Sequence, residues 1–480
     1  MLWSALEPRR VDVEAHVRDG IPGFSIVGLA DRACQEARER VRSGITAAEL
    51  KFPDGRITVN LAPAELRKEG SGFDLPIALA VLCASFQVPG TALARTAAVG
   101  ELALDGRLRR VGGVLAVAEG ARRLGVERLL CPAESAQEAA LAGIDAVPVR
   151  HLAEAVAFLR GEIELNPEPA ALSNGVSPTA VPDLEDVRGQ ERARRALELA
   201  AAGGHNLLLA GPPGTGKTML ARRLPGILPP LDRDGALEVT RIHSVSGLLD
   251  DHHPLVSTPP FRAPHHSAST AAIVGGGPHL RPGEASLAHR GVLLLDELAE
   301  FRRDALEALR QPLEDGFVAV ARAAGRVVFP ARFQLVGTMN LCPCGGRGDP
   351  GARCSCSAQR LAHYRDKLSR ALLDRFDLVV AMPRVRGVEL ASTPGEGSEA
   401  VRARVVAARE LLDVQPPKRD PEASKLLRNA VDRLHLSGRG HARVGRVART
   451  IAALAGADTV RPEHVAEALA YRSPDELRDV

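Results

Sequence analysis

Asn206-Leu-Leu-Leu-Ala210, then Gly211-Pro-Pro-Gly-Thr-Gly-Lys217-Thr218, then Met219-Leu-Ala-Arg222: this run decides the fold. The apolar stretch reads as a buried strand, a glycine-rich turn follows it, and a helix opens behind the turn. That order is the context in which a P-loop cradles phosphate through backbone N–H groups and a helix N-terminus. Lys217 is the only lysine between Lys68 and Lys367, and only six of the 62 basic residues are lysines. A lysine kept among arginines signals a chemical need, because its compact ammonium reaches between β- and γ-phosphates while arginine carries a wide planar fork. Gly211, Pro212, Pro213, Gly214, Thr215, Gly216, Lys217, Thr218 and Met219 are therefore expected to bind a nucleoside triphosphate, with Thr218 a ligand of Mg²⁺.

Downstream comes Gly291-Val-Leu-Leu-Leu-Asp296-Glu297. Four apolar residues ending in two carboxylates describe a buried strand that delivers acids to the carboxyl edge of a sheet, where open α/β sheets bind ligands. Asp296 is expected to hold Mg²⁺ and Glu297 to polarise the attacking water. The next buried strand, Phe333 to Asn340, ends in a polar residue suited to sensing the γ-phosphate or positioning water. Further on, Leu372-Leu-Asp-Arg375-Phe-Asp377 carries an arginine that can serve a neighbouring subunit's nucleotide, or else form a surface ion pair.

Hydrophobic content of 45% and charged content of 25% across 480 residues are those of a globular chain of about three domains. Aromatics make up only 3%, so Ala, Leu and Val must fill the core. The net charge of +3 announces no nucleic-acid binding, though it leaves room for local basic patches. Met1–Arg10 lacks a secretory pattern, and the longest apolar run, Leu75–Val88, is too short and mixed to span a bilayer. Seven cysteines argue against a disulfide framework. The expected location is the cytoplasm, with no membrane partner.

The Pro-rich stretch 166–182 reads as a linker between an α/β domain at 1–165 and an α/β nucleotide-binding core at 183–385. Residues 386–480 show helical spacing and no strand signal. In the first domain Arg56–Leu61 alternates like a strand, Arg128–Cys131 reads as a short strand, and Asp74–Ala84 and Leu115–Leu124 as helices.

The order of P-loop, Asp-Glu strand, Asn340 strand and Leu-Leu-Asp-Arg-Phe-Asp resembles an AAA+ ATPase. Phe261-Arg-Ala-Pro-His-His-Ser-Ala-Ser-Thr270, Gly275-Gly-Gly and Arg281-Pro-Gly-Glu-Ala-Ser-Leu-Ala-His289 resemble more narrowly the magnesium-chelatase-like ComM/YifB family. Gly23-Phe-Ser-Ile-Val-Gly-Leu29, Asn60-Leu-Ala-Pro63 and Lys68-Glu-Gly-Ser-Gly-Phe-Asp-Leu-Pro76 are similar to that family's N-terminal domain. The resemblance covers almost the whole chain. It implies ATP and Mg²⁺ as cofactors, Asn340 as sensor 1, Arg375 as an arginine finger working in trans in a homo-hexameric ring, and a C-terminal helical lid. The lid would supply the sensor-2 arginine, Arg446, with Arg443 as the alternative. Ala30 stands where the family commonly has proline, and the start is a few residues late, which implies an earlier start site.

Residues 1–165 further resemble the Lon protease fold (S5-type), through Lys68-Glu-Gly-Ser-Gly and the stretch Gly100–Gly113. Lon-type chemistry needs a serine activated by a lysine, and the position where the resemblance requires that lysine holds Leu115. Lys51 and Lys68 are the domain's two lysines, both in the wrong motif, and Ser71 lies about a residue from the nucleophile's place. A hydroxyl without its base is a poor nucleophile, so scaffolding or partner binding is expected rather than proteolysis.

Cys342-Pro-Cys344 and Cys354-Ser-Cys356 flank a glycine-rich loop directly after Asn340. Four such thiolates make either a structural Zn²⁺ site or a mobile loop of reduced cysteines. His265 and His266 are a weaker metal lead. Gly316–Phe329 reads as two alternating runs joined by Ala-Ala-Gly, a β-hairpin with Arg322 and Arg326 near its tip. In ring motors carrying such a hairpin it enters the pore, so these arginines are expected to track a DNA backbone; a solvated turn is the bland alternative. Arg241 and Arg262 are further candidates. The resemblance implies a helicase that promotes branch migration of single-stranded or branched DNA during recombination of transforming DNA. The alternative is an ATP-dependent protein remodeller like the magnesium-chelatase motor subunit.

Overall fold

The computed structural model describes the backbone except at residues 1, 5–6, 67, 69, 171–180, 251–253, 278–280, 323–324, 392, 394, 435 and 473–480; the side chains of 1–7, 321–326 and 390 are likewise not described. The chain divides into two compact units. One comprises Met1–Ser177, Arg233–Ser257 and Ala319–Val328, the other Pro178–Asp232, Thr258–Val318 and Phe329–Val480.

In the first unit, Arg56–Ala62 is the central strand of a three-stranded sheet, antiparallel to Asp12–Arg18 and parallel to Gly23–Val27. Its alternation buries Ile57, Val59 and Leu61 while Arg56 stays exposed, the period-two pattern of a half-buried strand. A second, parallel sheet holds Arg128–Pro132 between Thr96–Ala98 and Asp145–Val149. The helices Arg32–Ala47, Asp74–Ala84, Val114–Arg123 and Leu152–Arg160 belong to this unit. A later segment joins them: the helix Arg233–Val245 packs on Val114–Arg123. There Ser244 Oγ accepts a hydrogen bond from Gly113 N over 2.9 Å and donates one to Glu138.

The second unit is built on a five-stranded, all-parallel sheet. Its order is Phe261–Arg262, Val292–Leu295, Gln334–Met339, Leu207–Ala210, Leu378–Ala381. Every residue of Leu207–Ala210, Val292–Leu295 and Gln334–Met339 is buried. Strands covered on both faces read as continuous apolar runs, which is why these segments lack alternation. The helix Glu191–Gly203 covers this sheet, and Leu197 and Leu199 share one core with Leu207, Leu294 and Val336.

That core continues into the helices Ser398–Val414, Pro421–Leu434, Gly438–Leu454 and Pro462–Ala470 through Val401, Leu427, Val447 and Val465. Ser437 starts the third of them despite glycines at 438 and 440, its Oγ accepting from Gly440 N at 3.1 Å. One departure from the helical expectation is a two-residue parallel ladder, Lys418–Arg419 with Thr459–Val460. Two residues cannot display a period, so it left no mark in the sequence. Phe317–Arg322 and Gly325–Pro330 form the expected two-stranded hairpin.

Candidate nucleotide site

The P-loop leaves the carboxyl end of its strand between two neighbours: Gly211 N donates to Met339 O over 3.1 Å, and Met382 N donates to Ala210 O over 2.7 Å. Gly214 and Gly216 turn the chain with φ of +77° and +88°, a region that side chains with a Cβ enter only under strain. Lys217 opens the helix Lys217–Ala221. Its Nζ donates to Gly211 O and Pro212 O, each 2.8 Å away, and to Asn340 Oδ1 at 3.1 Å. Burial pushes this ammonium's pKa down, while the carboxylates of Asp296 and Glu297 push it back up. Thr215 Oγ1 closes the turn on Pro212 O at 3.0 Å. Met219, the last residue of the motif, is exposed.

Asp296 accepts from Thr218 Oγ1 at 2.8 Å and from Thr338 Oγ1 at 2.5 Å. The hydroxyl and carboxylate oxygens so joined suit Mg²⁺, a hard cation that takes oxygen ligands. Thr338 also accepts from the backbone N–H of Glu297 at 3.0 Å. Glu297 is left-handed, with φ +55°, and its side chain is exposed. Its Oε2 lies 3.7 Å from His266 Nδ1, and His266 packs edge-on to Phe301. Asn340 is steadied from behind, where Tyr364 Oη donates to its carbonyl at 3.1 Å. The structure thus brings Lys217, Thr218, Asp296, Glu297 and Asn340 to one sheet edge.

Arg375, Arg443 and Arg446 do not join them. Asn206, at the amino end of the P-loop strand, donates from Nδ2 to Arg375 O at 2.9 Å and from its backbone to Asp377 Oδ2 at 3.1 Å. The strand Leu207–Ala210 rises about 3.3 Å per residue, so these groups sit about 13 Å from the P-loop, at the opposite sheet edge. Arg443 Nε and Arg446 Nη2 both reach Asp377 Oδ1, at 3.4 and 3.3 Å. Arg443 is buried and Arg446 is 60% exposed. Arg375 takes up the ion-pair alternative its motif offered, though buried rather than at the surface: it lies against the carboxylate of Glu314, and burial beside Arg439 and Arg310 lowers its pKa.

The sulfurs of Cys342, Cys344, Cys354 and Cys356 all lie within 4.8 Å of one another. Three separations are 3.4, 3.6 and 3.7 Å. Four sulfurs at about 2.3 Å from a tetrahedral Zn²⁺ would stand about 3.8 Å apart, so the donor set fits that ion. No other such metal-compatible group of three or more occurs among the described residues. His265 and His266 are stacked 4.1 Å apart instead, His265 Nδ1 being 2.8 Å from Ser267 Oγ.

The two further DNA candidates are each paired with a carboxylate. Arg241 Nη2 is spent on Glu119 at 2.7 Å, and Arg262 grips Glu284 through two bonds of 2.6 and 2.8 Å. Each must give up that pairing before it can take a phosphate. The side chains of Arg322 and Arg326 lie outside the described residues. In the first unit, Leu115 is fully buried and its N–H donates to Glu138 Oε1 at 2.8 Å. Lys68 is buried with its ammonium on Pro63 O, and Lys51 pairs with Asp54.

Sequence reading missed Gln190, whose Nε2 ties Pro383 O (2.7 Å) to Thr215 O (3.3 Å) beside the P-loop. It missed Thr338 as well, although that position was within reach: two residues before Asn340 on a strand is the same face.

The family model described as magnesium chelatase, subunit ChlI, matches residues 183–390; those for subunit ChlI of Mg-chelatase and for the ChlI C-terminal region match 13–135 and 414–472. An uncharacterised protein of Mycobacterium tuberculosis is 46% identical over 97% of this chain and 96% of its own length. The uncharacterised protein YifB of Escherichia coli is 42% identical over 97% and 95%. The competence protein ComM of Haemophilus influenzae is 42% identical over 96% and 94%. With its α/β AAA+ fold, the chain belongs to the ComM/YifB family of magnesium-chelatase-like proteins.

Proposed function

We propose that this protein is an ATP-hydrolysing AAA+ ring motor that acts on DNA, as a branch-migration helicase in the recombination of transforming DNA. The observation that carries the ATPase is the convergence of Lys217, Thr218, Asp296, Glu297 and Asn340 on one edge of the parallel sheet. Backbone N–H groups of Gly214–Thr218 and the Lys217 ammonium hold the triphosphate. Thr218 and Asp296 hold Mg²⁺, which neutralises charge on the phosphates. Glu297 takes the proton of the attacking water, and Asn340 orients that water.

Arg375 and the Asp377-bound pair Arg443 and Arg446 lie at the far edge. A second copy must present that edge for its arginines to reach this nucleotide, which supports a homo-oligomer, a hexamer on our reading, with the C-terminal helices as the lid. For Arg375 to act, it must leave Glu314, so the ion pair is the resting form of the finger. The name of the Haemophilus relative supports a role in competence. The hairpin Phe317–Pro330 supplies Arg322 and Arg326 to DNA phosphates. The N-terminal domain, Lon-like on our reading, acts as scaffold, and Cys342, Cys344, Cys354 and Cys356 hold a structural Zn²⁺.

The test is ATP hydrolysis with and without single-stranded and branched DNA. Stimulation that falls when Arg322 and Arg326 become alanine supports the motor. ATPase activity indifferent to every DNA form sinks it, and leaves the protein remodeller suggested by the chelatase match.

A further inference from the structure

The four cysteines sit in a loop that starts two residues beyond Asn340 and folds back on the P-loop. Gly345 and Gly348 are both left-handed, with φ +75° and +77°. A Cβ on Gly345 would stand 2.8 Å from Pro213 Cγ; one on Gly348 would stand 2.7 Å from Leu341 Cδ1 and 3.7 Å from Pro212 Cγ. The loop backbone is thus packed on the two prolines that form the outer wall of the phosphate turn. Glycine is required at both points because nothing bulkier allows so close an approach.

Two further ties bind this loop to the same wall. Asp349, in its middle, accepts from Arg384 Nη1 at 3.3 Å. Arg384 follows Pro383, whose carbonyl is held by the Gln190 amide that also holds Thr215. At the loop's start, Asn340 is fixed to Lys217 by its side chain and to Tyr364 by its carbonyl.

Residues 341–357 form no helix or strand. A glycine-rich segment of that length loses much conformational entropy when ordered, so a cross-link is the economical way to hold its shape. The thiols are arranged for one. The backbone N–H groups of Gly346 and Arg347 donate to Cys344 Sγ and Cys342 Sγ at 3.5 and 3.3 Å, outer hydrogen bonds of the kind that orient metal-bound sulfur.

We propose that Zn²⁺ bound by Cys342, Cys344, Cys354 and Cys356 closes this loop into a buttress behind Pro212 and Pro213, so that nucleotide affinity depends on the metal. The inference rests on the nucleotide-site reading and not on DNA. Because coupling between two ligands is reciprocal, bound nucleotide must tighten zinc by the factor by which zinc tightens nucleotide, on the order of tenfold.

The experiment uses the full chain. Elemental analysis measures zinc per chain, and a fluorescent ADP analogue with Mg²⁺ measures Kd before and after metal removal by a chelator, with zinc added back. One zinc per chain and a Kd about tenfold weaker without it, restored by zinc, are expected, with zinc affinity rising by the same factor when ADP is present. The pair Cys344→Ser and Cys354→Ser should lose the metal. Should that variant fail to fold, Gly348→Ala decides: it keeps all four thiols but pushes the loop off Leu341, so it should keep zinc and still bind ADP more weakly. Stoichiometric zinc retained by the double serine variant, or an unchanged ADP Kd in metal-free protein or in Gly348→Ala, would overturn the proposal. No DNA enters these assays, so a failed motor reading leaves their outcome untouched. Loss of ADP binding in zinc-loaded Lys217→Ala checks the nucleotide site itself.

Discussion

Lys217 Nζ donates to Asn340 Oδ1 across 3.1 Å, joining the turn after one strand to the tip of the strand beside it. On the proposed function the pair links the cation that binds phosphate to the residue that orients water. Lys217→Ala should therefore abolish ATP turnover while leaving the circular dichroism spectrum unchanged. Asn340→Ala should lower kcat about 100-fold, the scale for losing one preorganised polar group in a transition state, with a smaller change in ADP affinity. Wild-type turnover by Lys217→Ala would contradict the site.

Arg375 stands at the sheet edge opposite its own P-loop, so its loss and the loss of Lys217 should strike different interfaces of a ring. Arg375→Ala is expected to fall about 1,000-fold in kcat, beside the inactive Lys217→Ala. Mixing Arg375→Ala with Lys217→Ala chains should restore a measurable fraction of activity, because some interfaces then pair an intact P-loop with an intact arginine. Mixed samples as dead as the parents would count against catalysis in trans.

Among the described residues, Glu297 has a long contact to His266 and a left-handed backbone to aim it. Glu297→Gln should bind ATP with near-normal affinity yet hydrolyse it 10²- to 10⁴-fold more slowly, roughly the worth of a general base. His266→Ala touches no phosphate ligand, so its effect should fall on kcat, about tenfold, with KM little changed. A rise in KM alone would assign His266 to nucleotide binding instead.

His205 is wholly buried, its Nε2 2.8 Å from Thr450 Oγ1, and burial pushes its pKa from 6.5 to about 4. The unfolded chain therefore binds a proton that the folded chain refuses between those values. Stability from this residue is full above pH 6.5 and falls as pH drops toward 4, by about 3 kcal/mol in all. Denaturant titrations at pH 7 and pH 4.5 should show this loss. In His205→Gln, which keeps a polar partner for Thr450, the difference between the two titrations should shrink; an equal slope in both proteins would refute the assignment.

Arg262 is clamped on Glu284 and half buried, so Arg262→Ala should cost about 1–2 kcal/mol of stability in the second unit and leave DNA affinity alone. Arg322→Ala and Arg326→Ala should do the reverse, each shallowing the salt dependence of DNA binding by about one phosphate. Filter binding at several salt concentrations, beside thermal melts, separates the two outcomes.

The local elements of the site were legible because their information is contiguous. Gly211–Thr218 specifies a turn through its own glycines, and Val292–Leu295 announces burial by four apolar residues in a row. The helix Val114–Arg123 and the strand Arg56–Ala62 carry their periods within a few residues, and the helix Asp74–Ala84 announces burial by a nearly unbroken apolar run. The four cysteines, too, are grouped by chain position alone. Partnerships across the chain left no such trace. Nothing near Arg262 points to Glu284, nothing near Arg375 points to Glu314, and nothing near Ser244 points to Glu138.

By itself, then, the sequence determined the glycine-rich turn, its acidic strand and the four-cysteine loop, since each is written in neighbouring residues whose conformations are fixed by local sterics and burial. Tertiary structure decided which residues share an edge. The order of the five parallel strands places Thr338 and Asn340 beside Asp296 and Lys217, and sends Arg375, Arg443 and Arg446 to the far side around Asn206 and Asp377. Strand order is set by how whole apolar faces pack into one core, a free energy summed over distant residues that no single stretch of chain contains.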